Sequence, residues 1–130
     1  MTKRFFTVEE ARQTLPRVRE LMQQMMLMVG ALEEAKQHVK ELAQKGEMNT
    51  GSSAGTRYIE GLAQISECVA AIQETGCLVK SIDEGLVDFP HLREGREVYL
   101  CWKNGEPDIG YWHEVDAGFA GRTPLDQDAS

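Results

Sequence analysis

The side chains able to do chemistry lie mostly in the second half of the chain, where Asp88, His91, Arg96, His113, Glu114, Asp116 and Arg122 follow one another. Carboxylates and imidazoles together are a transition-metal ligand set, and Asp88, His91, His113, Glu114 and Asp116 are the candidates for it. Their spacing weighs against a metal. His113-Glu114-Val115-Asp116 lacks the second histidine four residues on that a helical zinc motif carries. On a strand His113 and Glu114 point to opposite faces, whereas Glu114 and Asp116 share one. Asp88 and His91, on either side of Pro90, meet His113 only if their strand neighbours the one that holds it. The guanidinium groups suit a different ligand: Arg96, His113 and Arg122 are the candidates for binding a carboxylate or phosphate. Residues 118–122 (Gly-Phe-Ala-Gly-Arg) would add a small nest of backbone amides closed by Arg122. They lack the phosphate-loop pattern, and a glycine-permitted turn with Phe119 in the core accounts for them as well. His113 also reads as a structural histidine bonded to a backbone carbonyl or a carboxylate.

The three cysteines, Cys68, Cys77 and Cys101, are odd in number and form no C-x-x-C pair. That suits free thiols in a reducing compartment. Cys101, in the run Tyr99-Leu100-Cys101-Trp102, reads as a small buried hydrophobe. No serine or cysteine has an evident base, and there is no dinucleotide fingerprint. The sequence names no cofactor and leaves enzyme activity open.

A chain of 130 residues, 42% hydrophobic and 27% charged, is expected to form one α+β domain over residues 1–125, with 126–130 a disordered acidic tail. The net charge of −7 divides into +2 over residues 1–45 and −9 over the rest. An acidic second part argues against nucleic acid as a partner. No apolar run approaches the ~20 residues of a membrane span. No apolar stretch follows the basic residues Lys3 and Arg4 as in a signal peptide, so a cytoplasmic location is expected.

The elements that must position these side chains fall into two parts. Residues 7–75 read as helical and 76–125 as a β-meander. Thr7-Val8-Glu9-Glu10 is a capping box, with Phe6 placed to pack on Ala11. Pro16 predicts a short first helix, a bend near residues 14–15, and a long helix over 16–45. Val18, Leu21, Met25, Met28, Leu32, Ala35, Val39 and Leu42 alternate spacings of three and four along it, a coiled-coil seam. Met22 and Val29 widen the stripe. A glycine- and serine-containing loop over 46–55, expected to be mobile, leads to a second helix with the seam Tyr58, Leu62, Ile65, Val69 and Ile72. On its outer face Glu60, Glu67 and Glu74 read as solvated charge. The two helices make an antiparallel hairpin of unequal arms.

The meander is expected to run through strands at 77–82 and 86–89, the latter ended by Pro90, then at 97–102 and 108–114. Asn104-Gly105 between the last two predicts a type I′ hairpin. That register sets Leu100 opposite Ile109, Val98 opposite Tyr111, Arg96 opposite His113 and Tyr99 opposite Gly110. His113 would then share the helix-facing side with Arg96.

The blocks Phe6-Thr7-Val8-Glu9-Glu10-Ala11 with Leu15-Pro16, Gly85-Leu86-Val87-Asp88-Phe89-Pro90, Gly95-Arg96-Glu97-Val98-Tyr99-Leu100-Cys101-Trp102, Trp112-His113-Glu114 and residues 118–125 (GFAGRTPL) resemble a family of small bacterial proteins, domain of unknown function 2203. The resemblance implies a bacterial, cytoplasmic protein and brings no activity and no catalytic residue. The leading functional expectation is a non-enzymatic protein that self-associates through its long helix or docks a partner helix. Met22, Met25, Met26 and Met28 supply adaptable thioethers for that role. The alternative is a small-ligand or metal-dependent enzyme working from Asp88, His91, Arg96, His113 and Glu114.

Overall fold

The computed structural model describes residues 3–46 and 53–125. Most of the expected loop and the acidic tail at 126–130 lie outside the described residues. Two helices, α1 (Val8–Gln44) and α2 (Ser53–Glu74), pair antiparallel and precede a five-stranded sheet. Its strands are β1 (Leu78–Ser81), β2 (Leu86–Arg93), β3 (Arg96–Lys103), β4 (Tyr111–Glu114) and β5 (Thr123–Pro124). Every neighbouring pair is antiparallel and the order follows the sequence, which makes an α+β meander. No helix among the described residues is long and apolar enough to cross a membrane.

The capping box forms as the sequence predicts. The Thr7 hydroxyl accepts from the Glu10 amide at 3.0 Å, and the Thr7 amide donates to the Glu10 carboxylate at 2.8 Å. Phe6 and Ala11, one on each side of the cap, are both fully buried.

The expected bend does not occur, because α1 runs through Pro16 without a break. A proline inside a helix costs about 3 kcal/mol, through a lost amide and a clash with the carbonyl four residues back. Packing outweighs that cost. Leu15 and Val18 on either side are fully buried, and burying such side chains contributes about 1.5–3 kcal/mol each. Arg12 also ties this stretch to the sheet, donating from Nη2 to the Ile109 carbonyl at 2.9 Å, and Arg19 donates to the Pro107 carbonyl at 2.7 Å. Arg12 and Pro16 are both exposed, so water can reach the carbonyl that Pro16 leaves without a partner.

The core lies between the first half of α1, the second half of α2 and one face of the sheet. Val18, Leu21, Met22 and Met25 meet Ile65, Cys68 and Ile72, and below them Val87, Phe89, Leu100, Trp102 and Ile109. Along the predicted seam of α2, Ile65 and Ile72 are buried and Leu62 is not, while Cys68 takes an interior place.

The sheet departs from expectation in three ways. First, β2 does not stop at Pro90. Pro90 lies opposite Tyr99 of β3, but its missing amide would point to the other side, where β1 begins only at Leu78, opposite Asp88, so no ladder bond is lost. Its carbonyl accepts instead from the Phe6 amide at 2.7 Å. Second, β2 and β3 are joined by the two-residue turn Glu94-Gly95, with φ of 53° and 78°, pairing Arg93 with Arg96. Third, Asn104-Gly105 does not make a type I′ turn, because only Gly105 has positive φ, at 102°. Glu106 closes that turn onto the Lys103 carbonyl at 2.9 Å and accepts from Trp102 Nε1 at 2.9 Å. Pro107 has no amide for a ladder, and Ile109 drops into the core. Pairing resumes only at β4, with Val98 opposite Glu114, Tyr99 opposite His113, Leu100 opposite Trp112 and Cys101 opposite Tyr111. Relative to the expected register this is an odd shift, so it turns β4 over. His113 faces away from the helices and from Arg96.

Because α1 is already continuous, Pro16→Ala should stabilise the protein by about 1–3 kcal/mol in urea denaturation. A bend needed by the fold would show as no gain or a loss.

Candidate functional site

Three polar side chains meet on the sheet face turned away from the helices. β2, β3 and β4 supply one each: Asp88, Cys101 and His113, exposed by only 2%, 1% and 3%. The ladder explains the meeting. Asp88 lies directly opposite Cys101, and His113 lies opposite Tyr99, two residues along the same face. Val87 and Phe89, which alternate with Asp88, and Leu100 and Trp102, which flank Cys101, point to the core.

His113 Nε2 is 3.1 Å from each oxygen of the Asp88 carboxyl, and Nδ1 is 2.7 Å from the Glu114 carbonyl. A carbonyl only accepts, so Nδ1 carries a hydrogen and donates it. Nε2 and the carboxyl would otherwise face each other as bare acceptors, so the pair shares one proton between them. Burial pushes the Asp88 carboxyl above the usual range, opposed by the charge and hydrogen bond of His113. Tyr99 meets the imidazole edge-on, with ring centres 5.6 Å apart, and the Lys80 ammonium sits 4.8 Å from the Tyr99 ring.

Desolvation, reinforced by the Asp88 charge, pushes the Cys101 thiol up to about 12. Such a thiol is no nucleophile at neutral pH. Nor can His113 be oriented by Asp88 through one nitrogen while taking the Cys101 proton with the other, because Nδ1 is held by backbone. The chemistry open to the cluster is therefore ligation or proton storage.

Arg122 stands beside it. Its Nη1 lies 4.0 Å from Cys101 Sγ and 3.0 Å from the Glu106 carboxylate, and its guanidinium stacks 3.8 Å over Tyr111 and 4.1 Å over Phe119. Residues 119–121 form one short 3₁₀ turn, and Phe119 is half-buried over the outer face of the sheet. A cavity of about 120 Å³ adjoins the cluster, with Lys80, Leu86 and Phe119 in its wall.

The other candidates lie elsewhere. His91 is three residues from Asp88, so the strand alternation puts it on the opposite face. There Nδ1 donates to the Phe6 carbonyl at 2.7 Å, while the buried Nε2 has no partner among the described residues. Arg96 and Glu114 form a two-pronged exposed ion pair at 3.1 and 2.6 Å, on the side opposite His113. The expected joint Arg96 and His113 anion site is therefore not assembled, and the β4 register is the reason. Asp116 is exposed in the turn after β4. Cys101 is the member of the cluster that the sequence reading left out. The signal for it was Glu94-Gly95, which sets Asp88 opposite Cys101 once read as a hairpin turn.

Fold and site together define an α+β protein with a helical hairpin over one face of a meander and a buried carboxyl, imidazole and thiol on the other. The chain belongs to the family described as "Uncharacterized conserved protein (DUF2203)", whose sequence model matches residues 4–125. No curated protein and no solved structure matches it.

The raised Asp88 carboxyl gives a pH signature. The folded state keeps this proton at pH values where the unfolded chain has lost it, so stability falls as pH rises through that window, from about pH 4 upward. Asp88→Asn carries no charge to desolvate, and its amide can still donate to Nε2. Urea denaturation in EDTA should show the wild type losing stability relative to Asp88→Asn as pH rises from about 4 to 8. A constant difference would mean that burial does not hold Asp88 protonated.

Proposed function

We propose that this protein works by association rather than by chemistry, with the far half of its helical hairpin packing against that of a second copy to form a four-helix bundle. The observation that carries this reading is the burial along α1. The apolar seam continues to Leu42, yet no α1 side chain beyond Met25 is fully buried. Leu32, Ala35, Val39 and Leu42 are each half-exposed beside α2. The 37 residues of α1 span about 55 Å, so the stretch left with one neighbour is a long one.

The same stretch leaves Leu27 77%, Ile59 68% and Leu62 46% exposed. A groove of about 460 Å³ runs between the helices, with Met28, Leu32, Ala35, Arg57, Glu60 and Gly61 in its walls. Both signs of charge line it, Glu34 and Glu60 against Arg57. A surface related to itself by a two-fold axis needs such self-complementarity. The acidic second part of the chain favours protein over nucleic acid as the partner, and three free, buried thiols suit a reducing cytoplasm. The enzyme alternative has less support, because the site thiol is held protonated and Arg96 does not reach His113.

Sedimentation equilibrium tests the reading. The wild type should be dimeric at micromolar concentration. Leu27→Glu combined with Leu62→Glu should be monomeric with an unchanged circular-dichroism spectrum, since both side chains are exposed. A monomeric wild type would sink the proposal.

A further inference from the structure

We propose that Asp88, Cys101 and His113 form a binding site for one divalent transition-metal ion of the zinc class, with an open fourth position. Each residue offers one ligand atom, and these atoms lie within 4.8 Å of one another. A tetrahedral ion with bonds of 2.0–2.3 Å needs its ligand atoms roughly 3.3–3.6 Å apart. The 3.1 Å separations between Nε2 and the Asp88 oxygens are already close to that. Only side-chain adjustments of about an ångström separate the arrangement found from a coordinating one.

The donors select the metal. One thiol, one imidazole and one carboxylate suit zinc and its neighbours; magnesium and calcium prefer oxygen alone. The surroundings are those of a ligating histidine. Nδ1–H is tied to the Glu114 carbonyl at 2.7 Å, which fixes the ring and leaves Nε2 as the ligand atom. The proton shared by Asp88 and His113 lies where the cation would lie, so metal replaces proton between the same two groups.

Charge balance favours the exchange. A carboxylate and a thiolate together neutralise a divalent ion, leaving no net buried charge. Arg122, the nearest guanidinium, already has the Glu106 carboxylate at 3.0 Å, so its charge does not oppose the ion unpaired. The fourth position opens into the adjoining cavity of about 120 Å³. That is room for a water molecule, which takes about 30 Å³. The three ligands come from three successive strands, so a bound ion would also pin β2, β3 and β4 to one another.

Cobalt(II), added to untagged, chelator-treated protein, is the probe, because a cobalt–thiolate bond gives a charge-transfer absorption that other ligands do not. One equivalent should bind at micromolar concentration with that band, and zinc should displace it. Cys101→Ala should abolish the band, and Asp88→Asn and His113→Gln should each weaken binding at least tenfold. All three variants are first checked for a cooperative thermal transition. Zinc should raise the wild-type transition temperature and leave that of Cys101→Ala nearly unmoved, which keeps the test valid if His113→Gln fails to fold. No stoichiometric cobalt binding, binding without the thiolate band, or binding undiminished in Cys101→Ala would each overturn the proposal. Because the site lies on the face opposite the helices, none of these outcomes depends on whether the protein dimerises.

Discussion

Everything else in this fold hangs on the register between β2 and β3. The Glu94-Gly95 turn closes it with two successive positive φ angles, 53° and 78°, which match the right-handed twist of the flanking strands. Once Arg93 lies opposite Arg96, the strand alternation sorts every residue of both strands. Val87, Phe89, Val98, Leu100 and Trp102 go to the helices, while Asp88, Tyr99 and Cys101 go to the far face. A slip of one residue would bury Asp88 against α1 and turn Phe89 outward. The hydrophobic core and the polar cluster are thus two readings of one alignment.

That far face would ordinarily be open to water in a two-layer protein. Here it is covered locally by the segment after β4, whose Phe119 stacks on the Arg122 guanidinium, as does Tyr111 from β4 itself. The cover lowers the local dielectric around Asp88 and His113, which is why their charges must be settled between them. A carboxyl on a bare sheet face would be an ordinary surface acid. Under this lid it becomes a group whose proton is held by its neighbours.

Much of this was legible in the residues. The capping box, the helical hairpin, the meander and the exposure of the α2 glutamates rest on local chemistry, which acts over a few positions and needs no knowledge of the rest. The errors came where distant parts overrule local ones. Pro16 should end a helix, but buried neighbours on both sides and the Arg12 tether to Ile109 carry it through. Asn104-Gly105 should set a tight hairpin, but Trp102 captures the Glu106 carbonyl, Pro107 cannot pair and Ile109 leaves for the core. That one displaced register moved His113 from the Arg96 side to the Asp88 side, and with it the composition of the site. Cys101 was readable as buried, but its neighbour was not, because the informative turn begins six residues beyond Asp88 and uses glutamate where asparagine or aspartate is usual.

The sheet's borders have a consequence for how copies of the chain can meet. On one side β1 has four residues and a register break between Val79 and Ser81. The part of β2 that β1 leaves bare is taken up by Phe6, which bonds to Pro90. On the other side β5 is two residues long and contains a proline. Among the described residues, neither border offers a straight run of unpaired amides and carbonyls on which another strand could template itself. Fibre-like addition of strand to strand is thereby disfavoured at both ends of the meander, so the sheet stays at the five strands of one chain.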